Sequence, residues 1–357
     1  MSTPSSKWLF SAPVDLAVFG GTAGLALVLV ALAPQLGIGH DAPEWSWIAG
    51  VLLVDVAHVW STAFIVYLDP AEWRRRPAVY AGVPIATFLA GIAIYAGGGE
   101  AAFWRVIAYL AVFHFIRQQY GWIMMYRARI GERARLGRWL DGATVYVATI
   151  YPVVWWHTRL PRGFSWMRNG DFVSGMPERV ADVAWVVYVA LLAAYAVRAI
   201  VQIVTRRPVS WGKHLVMATT VACWYVGIIG TNSDYAFTVT NVLVHGVPYM
   251  ALVYVYARSA ARERESAGGL SARMIGQRRL RGLVVFLATL WLIAYVEEMI
   301  WDRAIWHDRS WLFGAGIEIG GGAMILAPLL AGPQLTHYVL DGFLWRRKTN
   351  PRLGRLL

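Results

Sequence analysis

Long apolar runs constrain the fold of this sequence more than any other feature. Residues 14–34, 79–97, 183–204 and 282–296 each approach or exceed the ~20 apolar residues that span a hydrocarbon core of ~30 Å. Hydrophobic residues make up 58% of the 357 positions, a larger share than an ordinary soluble protein has. A backbone inside hydrocarbon must satisfy its own hydrogen bonds, as a helix does. We therefore predict an all-α fold, a polytopic transmembrane helical bundle.

The apolar pattern predicts about ten spans in a single integral membrane domain, residues 1–357, because no loop between them is long enough for a separate module. We interpret the first span as a retained helix and not a cleaved signal, since its length suits a full crossing. The last span contains three consecutive glycines and two prolines, which favours either a broken helix or two segments. The predicted spans are 14–34, 46–69, 79–97, 102–126, 141–157, 181–205, 211–230, 236–257, 282–301 and 311–345.

The basic residues between the spans predict an orientation. With the N-terminus inside, 24 Lys and Arg lie in inner segments and 6 in outer segments. Such a bias places both termini in the cytoplasm, in a bacterial inner membrane. The formal net charge of +12 then reflects loops held at the membrane surface. Nucleic acid is accordingly not a predicted partner.

Four histidines, His58, His114, His245 and His337, lie within predicted spans two, four, eight and ten. All four spans run in the same direction, so depth can be compared by counting residues to the inner end. At 1.5 Å per residue the histidines lie roughly 12–18 Å from that end, close to a midplane at about 15 Å. The pattern predicts one layer of imidazoles on four helices. The remaining histidines, near span ends, are interpreted as surface residues: His40, His157, His214 and His307.

Each of these four histidines has a polar neighbour one helical turn away. A histidine that binds a metal commonly donates its second ring N–H to a carboxylate, amide or carbonyl. We therefore predict the four histidines as ligands of one metal, supported by polar side chains from the same turns. Those supporting residues are Asp55, Gln118, Asn241 and Asp341.

The residue types narrow the identity of the metal. The only cysteine is Cys223, so one chain cannot build a thiolate site. Imidazole suits iron, zinc and copper, and the accompanying carboxylates favour non-haem iron. Haem held between facing pairs of histidines stays open as an alternative. Two readings without metal also stay open: a proton relay or substrate site, and structural hydrogen bonding.

Further charges lie within the spans. Arg117 is interpreted either as the partner of a buried acid, Asp55 or Asp341, or as a group that recognises an acidic or carbonyl substrate. In the second interpretation Arg117 and Asp55 are the candidate catalytic residues. Glu297, Glu298 and Glu318 predict a polar path on the outer side.

Four segments resemble signature segments of an uncharacterised family of bacterial polytopic membrane proteins. They are "DVAHVWSTAFIVYLD", "FHFIRQQYGWIMMYR", "NVLVHGVPYMALVY" and "THYVLDGFLWR". A remoter likeness is to the Brp/Blh carotenoid-cleaving dioxygenases, and it implies iron bound by intramembrane histidines. The Pro-His-Gly-Ala-x-Asp run of those enzymes is absent, and "VHGVPYM" at 244–250 matches it only in part.

The function expected from these patterns is that of an integral membrane metalloenzyme. It would use histidine-bound iron in an oxidoreductase or oxygenase reaction on a lipophilic small molecule drawn from the membrane lipids. The alternatives are a haem-binding membrane electron carrier and a transporter with a midplane polar site. Microbial rhodopsins are poor candidates, since Lys7, Lys213 and Lys348 all lie away from mid-span and none is placed for a Schiff base.

The basic bias gives a testable topology. Reporter fusions after residues 77, 139 and 270 should all report a cytoplasmic location, because each follows a predicted span that runs inward. Alkaline phosphatase and green fluorescent protein fusions provide the measurement. A periplasmic signal at any two of these sites would contradict the predicted topology.

Overall fold

The computed structural model describes residues 8–262, 269–276, 278–346 and 350–356. Within those ranges the chain is all-helical and contains no strand, which confirms the predicted fold class. Lys7 and Lys348, both part of the basic count, lie outside the described residues.

Long helices and their connections account for most of the described chain. We label the long helices α1 to α9, namely α1 Ala12–Leu32, α2 Glu44–Ile65, α3 Pro77–Arg129, α4 Arg135–His157, α5 Glu178–Val204, α6 Trp211–Gly230, α7 Asp234–Ala260, α8 Arg279–Trp306 and α9 Gly320–Leu344. Short helices lie between or after them at Pro70–Arg75, Leu270–Ile275, Ser310–Phe313 and Pro351–Leu356.

Eight of these helices within the described ranges are long and apolar enough to cross a membrane. The helix outside that set is α4, whose first two turns carry Arg135, Arg138 and Asp141. Apolar helices of this length identify an integral membrane protein. The number of spans and the side on which the termini lie stay predictions.

Helix α3 extends over 53 residues and contains a sharp break at Gly99. There φ is +76° and ψ is −178°, a combination that is essentially restricted to glycine. The predicted spans 79–97 and 102–126 lie on either side of this residue. The helix is therefore two segments joined at a glycine, as two separate apolar runs in the sequence suggest.

The last apolar region is broken near its start. A short helix, Ser310–Phe313, is followed by irregular chain at 314–319 and a 3₁₀ turn at Gly320–Gly322. Regular α-helix begins only at Ala323 and continues to Leu344. Of the two possibilities left open by the sequence, the structure has a broken helix with one long segment.

Wider, π-helical turns interrupt four of the long helices, at Leu16–Gly21, Trp47–Val56, Tyr225–Gly230 and Asp302–Trp306. Such turns are rare and occur often at functional sites. The longest of them, Trp47–Val56, ends two residues before His58.

The described chain divides into two compact units. The first unit comprises residues 8–47 and 111–248, and the second comprises residues 48–110 and 249–356. Each unit is described by itself below, and the predicted single domain stays a prediction.

In the first unit, α4 packs along α5 and against α6, and α1 also packs against α6. The chain that leads into α1 is held by the buried carboxylate of Asp15. That carboxylate accepts hydrogen bonds from the amides of Leu9, Phe10 and Ser11 at 2.7, 3.0 and 3.3 Å, and from the Tyr126 hydroxyl at 2.6 Å. A carboxylate with several donors can remain buried at an acceptable cost.

In the second unit, α2 packs against α8 and α9. The ring centroids of Phe64 on α2 and Phe286 on α8 lie 4.9 Å apart in an edge-to-face contact. The Trp291 indole on α8 donates to the Leu53 carbonyl at 2.9 Å, beside the π-helical turns of α2. A side chain of α8 thus adds a hydrogen bond to the backbone of the π-helical part of α2.

The break at Gly99 generates a prediction. Gly99→Ala should lower the free energy of unfolding by about 1–3 kcal/mol, because a Cβ is strained in this backbone conformation. Thermal unfolding in detergent would measure the change. Gly97→Ala is the matched control, since a Cβ there meets no atom within 4 Å and its φ is not positive. Equal stability of the two variants would contradict the role given to Gly99.

Candidate functional site

The first unit contains a pair of buried histidines, His114 on α3 and His245 on α7. Their ring centroids lie 5.1 Å apart and the ring planes are nearly perpendicular, at 82°. The Phe115 ring stacks on the His245 ring at 3.5 Å with an interplanar angle of 8°, which fixes the orientation of that imidazole. Trp166 packs edge-to-face against Phe115 at 5.1 Å.

The two amides expected to support these rings bond to the backbone. The Gln118 amide donates to the carbonyl of His245 at 2.8 Å. The Asn241 amide donates to the carbonyl of Phe237 at 2.9 Å, within its own helix. Gln118 therefore ties α3 to the backbone of α7 at the level of His245 and positions the histidine pair.

The second unit contains another buried pair, His58 on α2 and His337 on α9. Their ring centroids lie 5.0 Å apart with an interplanar angle of 81°. Tyr249 packs edge-to-face against both rings, at 5.8 Å from His58 and 4.9 Å from His337. Each unit therefore has two nearly perpendicular imidazoles in direct contact, on different helices.

Hydrogen bonds fix His337 and its surroundings. Thr62 Oγ1 lies 2.9 Å from His337 Nδ1. In the tautomer in which Nδ1 donates to this hydroxyl, Nε2 keeps the lone pair that a metal needs. The Tyr249 hydroxyl donates to Asp341 at 2.5 Å, and the Trp345 indole donates to the same carboxylate at 3.1 Å. This carboxylate is thus held by two donors one helical turn from His337.

Two carboxylates of the second unit lie near its imidazoles, as their sequence spacing predicts. Asp55 Oδ1 is 3.6 Å from His58 Nδ1, and Asp341 Oδ1 is 3.9 Å from His337 Nδ1. Both distances are longer than a hydrogen bond. These groups place carboxylate oxygens near two histidines of the second unit.

The separation within each pair has a chemical meaning. Two imidazoles bound to one metal at about 2.1 Å, in tetrahedral arrangement, place their ring centroids about 5 Å apart. Two imidazoles on opposite faces of a haem are more widely separated, at about 6 Å, with the macrocycle between them. Centroid distances of 5.0 and 5.1 Å are compatible with adjacent ligands of one ion, and they are also the distances of ordinary edge-to-face ring packing. The prediction that all four histidines share one metal stays a prediction.

Arg117 differs from its expected environment. Its side chain is exposed, donates to the Tyr146 hydroxyl and lies over the Tyr120 ring at 4.9 Å. The expectation of a buried guanidinium is therefore wrong. The Tyr120 ring and the Tyr146 hydroxyl interact with the Arg117 guanidinium at an exposed helix surface. Arg117 can therefore occupy its position in the span without being buried.

The four peripheral histidines do not all lie at the surface. His40 and His307 are exposed, as expected. His157 is buried, since its ring stacks on Phe172 at 4.7 Å and its Nδ1 lies 2.7 Å from the Val153 carbonyl. His214 is half-buried and hydrogen bonds to the Tyr195 hydroxyl at 2.8 Å. The sequence positions of His157 and His214 near span ends did not reveal this burial, because Phe172 and Tyr195 come from other segments of the chain.

The first unit also contains a buried ionic network that the sequence did not predict. Asp141 and Glu132 each accept from Arg198, and from Lys213 at 3.0 and 2.8 Å respectively. Arg127 bonds to the same two carboxylates. Lys213 is fully buried, although it was counted with the basic residues on the inner side of the membrane. The only available signal was an aspartate inside an apolar run, "WLDGATVYV".

The predicted outer polar path has mixed support. Glu297 accepts a hydrogen bond from the Trp60 indole, so this carboxylate faces another helix of the second unit. Glu318 is exposed in the irregular segment before α9.

Comparison with known proteins adds no relative. No family model matches the chain. No curated protein and no solved structure matches it. The resemblance to Brp/Blh dioxygenases and to an uncharacterised membrane family therefore stays a prediction.

The contact between Thr62 and His337 can be tested. Thr62→Val removes the hydroxyl at nearly constant shape and leaves Nδ1 without this bond. The free energy of unfolding should fall by about 1–3 kcal/mol, and the ¹⁵N signals of His337 should move in protein labelled with ¹⁵N-histidine.

Thr87→Val is the matched control for that measurement. Thr336 directly precedes His337 in the chain. The Thr87 hydroxyl lies 3.4 Å from the Thr336 hydroxyl and donates to the backbone carbonyl of Pro84. Its loss should leave the ring signals in place. Unchanged His337 signals in Thr62→Val would contradict the proposed bond.

Proposed function

We propose that the protein is an integral membrane metalloenzyme in which the buried histidine pairs bind non-haem iron for an oxidoreductase or oxygenase reaction on a lipophilic small molecule. The observation that supports it best is the geometry within each pair: two buried, nearly perpendicular imidazoles whose centroids lie 5.0 or 5.1 Å apart. Ionisable residues within membrane spans usually mark function.

The donor set supports iron over softer metals. His58, His337 and the carboxylates of Asp55 and Asp341 provide nitrogen and oxygen donors, and Cys223 lies in the other unit. Imidazole nitrogen and carboxylate oxygen are both donor types that suit iron. Iron, when bound, would supply one-electron chemistry with dioxygen.

The residues of the chain itself perform the remaining tasks. Asp341 accepts the Tyr249 O–H at 2.5 Å, and so holds a proton beside His337. Thr62 orients the His337 ring, while Phe115 orients the His245 ring. Buried aromatic and aliphatic side chains around both pairs exclude water, which strengthens every electrostatic interaction there. A lipophilic substrate would reach such a site from the surrounding lipid.

The bacterial inner membrane, with both termini in the cytoplasm, is the location we propose from the distribution of basic residues. A haem-binding electron carrier is the second candidate, since eight of the described helices are long and apolar enough to span a membrane and the histidines form pairs.

Metal analysis tests the proposal directly. Protein purified in detergent should contain iron by mass spectrometry and show no Soret band. Single substitutions of His58, His114, His245 and His337 by alanine should each lower the affinity for iron by about tenfold or more. The helical circular dichroism signal should stay unchanged, because helices supply their own backbone hydrogen bonds.

Stoichiometry and a matched control sharpen this test. One iron per chain that is lost in all four variants supports a single four-histidine site, and two irons per chain support one site per pair. His40→Ala is the control, since His40 is an exposed histidine outside the long helices and should keep full iron content. Full iron content in all four variants would reject the proposal, and a Soret band would favour haem.

A further inference from the structure

An open cleft lies in the first unit, away from the histidine pair. Its volume is about 740 Å³, within the range of small-molecule sites. The turn between α3 and α4, the start of α4 and the end of α5 form its walls. Its lining includes Leu136, Trp139, Leu140, Ala194, Arg198 and Arg207.

The cleft lies where apolar helices end, which is the level of lipid head groups in a membrane. Its upper wall is the end of α5, a helix apolar enough to cross a membrane. Leu136 and Trp139 are 78% and 64% exposed on the opposite wall. Large exposed apolar side chains, tryptophan among them, are typical of the interface between hydrocarbon and water. The cleft is therefore open to lipid.

Charge around the cleft favours an anion. Glu132, its one lining carboxylate, already bonds to Arg127, Arg198 and Lys213. That network contains three cations for two carboxylates, so it leaves one positive charge beneath the cleft. Arg207 adds a second cation in the lining and is exposed.

Further basic residues adjoin the lining residues in sequence. Arg206 precedes Arg207 in the turn after α5, and it is exposed. Arg133, Arg135 and Arg138 are exposed around the start of α4. Anionic lipid is attracted to clusters of this kind, and pockets lined by basic residues between helices bind anionic head groups.

We propose that this cleft is a binding site for an anionic phospholipid. One acyl chain lies against the apolar walls formed by Leu136, Leu140 and Ala194, and the head-group phosphate meets Arg207 and Arg206. The site is separate from the histidine pairs, so the proposal does not rest on the metalloenzyme function.

The test uses the full chain, purified and stripped of lipid in a neutral detergent. Phosphatidylglycerol and phosphatidylcholine with identical acyl chains are titrated, and the bound lipid is counted by native mass spectrometry. We expect phosphatidylglycerol to bind about tenfold or more tightly. Each basic residue near an anionic surface strengthens binding by about fivefold. Arg207→Gln should therefore weaken the binding of phosphatidylglycerol about fivefold, and the double variant Arg206→Gln with Arg207→Gln should weaken it about twentyfold.

Two more variants separate charge from shape. Ala194→Phe fills the cleft at an exposed position and should reduce binding of phosphatidylglycerol without loss of stability. Arg179→Gln removes the same charge at the other end of α5 and should leave the affinity unchanged.

Each remaining outcome decides against the proposal. Equal affinity for the two lipids would mean non-specific annular lipid only. Saturable binding of inorganic phosphate at the affinity of the lipid would identify a phosphate site in place of a lipid site. Equal losses of affinity for phosphatidylglycerol in Arg179→Gln and Arg207→Gln would show that only the net charge of the protein matters.

Discussion

In a hydrocarbon layer, a backbone N–H or C=O without a partner inside the protein costs several kcal/mol. This constraint explains why most of the described chain is helical. In the π-helical part of α2, the Trp291 indole adds a bond to the Leu53 carbonyl. Several polar side chains are bonded by groups distant in sequence, as Lys213 is by Glu132 in the first unit and Tyr249 is by Asp341 in the second.

The two units satisfy their polar groups in different ways. The first unit collects formal charges near helix ends, where Asp141 and Glu132 bind three cations. A buried ion pair stabilises little unless its groups are fully bonded, so this network fixes the mutual position of α4, α5 and α6 more than it adds to stability. The second unit holds Asp341 through neutral donors, a phenol and an indole. These two donors hold the carboxylate one helical turn from His337.

Much of the fold follows from the sequence, and much of the site does not. Apolar runs predict the helices, and the gap between the predicted spans 79–97 and 102–126 coincides with the break in α3 at Gly99. The polar neighbours of His58 and His337 follow from helical spacing. The pairing of His58 with His337, and of His114 with His245, does not, because tertiary packing decides which helices are neighbours. For the same reason the burial of Lys213 was missed, since its partner Glu132 is 81 positions away.

The two histidine pairs differ in what surrounds them, and the difference bears on charge balance. A divalent cation in a low-dielectric site needs compensating negative charge. In the second unit, Asp55 and Asp341 lie within 4 Å of an imidazole nitrogen. In the first unit, the polar groups beside the pair are the amides of Gln118 and Asn241, which carry no charge and bond to backbone carbonyls. A metal bound by the second unit's pair would therefore have carboxylates beside it, whereas a metal bound by the His114–His245 pair would have only neutral amides beside it. Removal of either carboxylate should accordingly weaken metal binding more than removal of either amide.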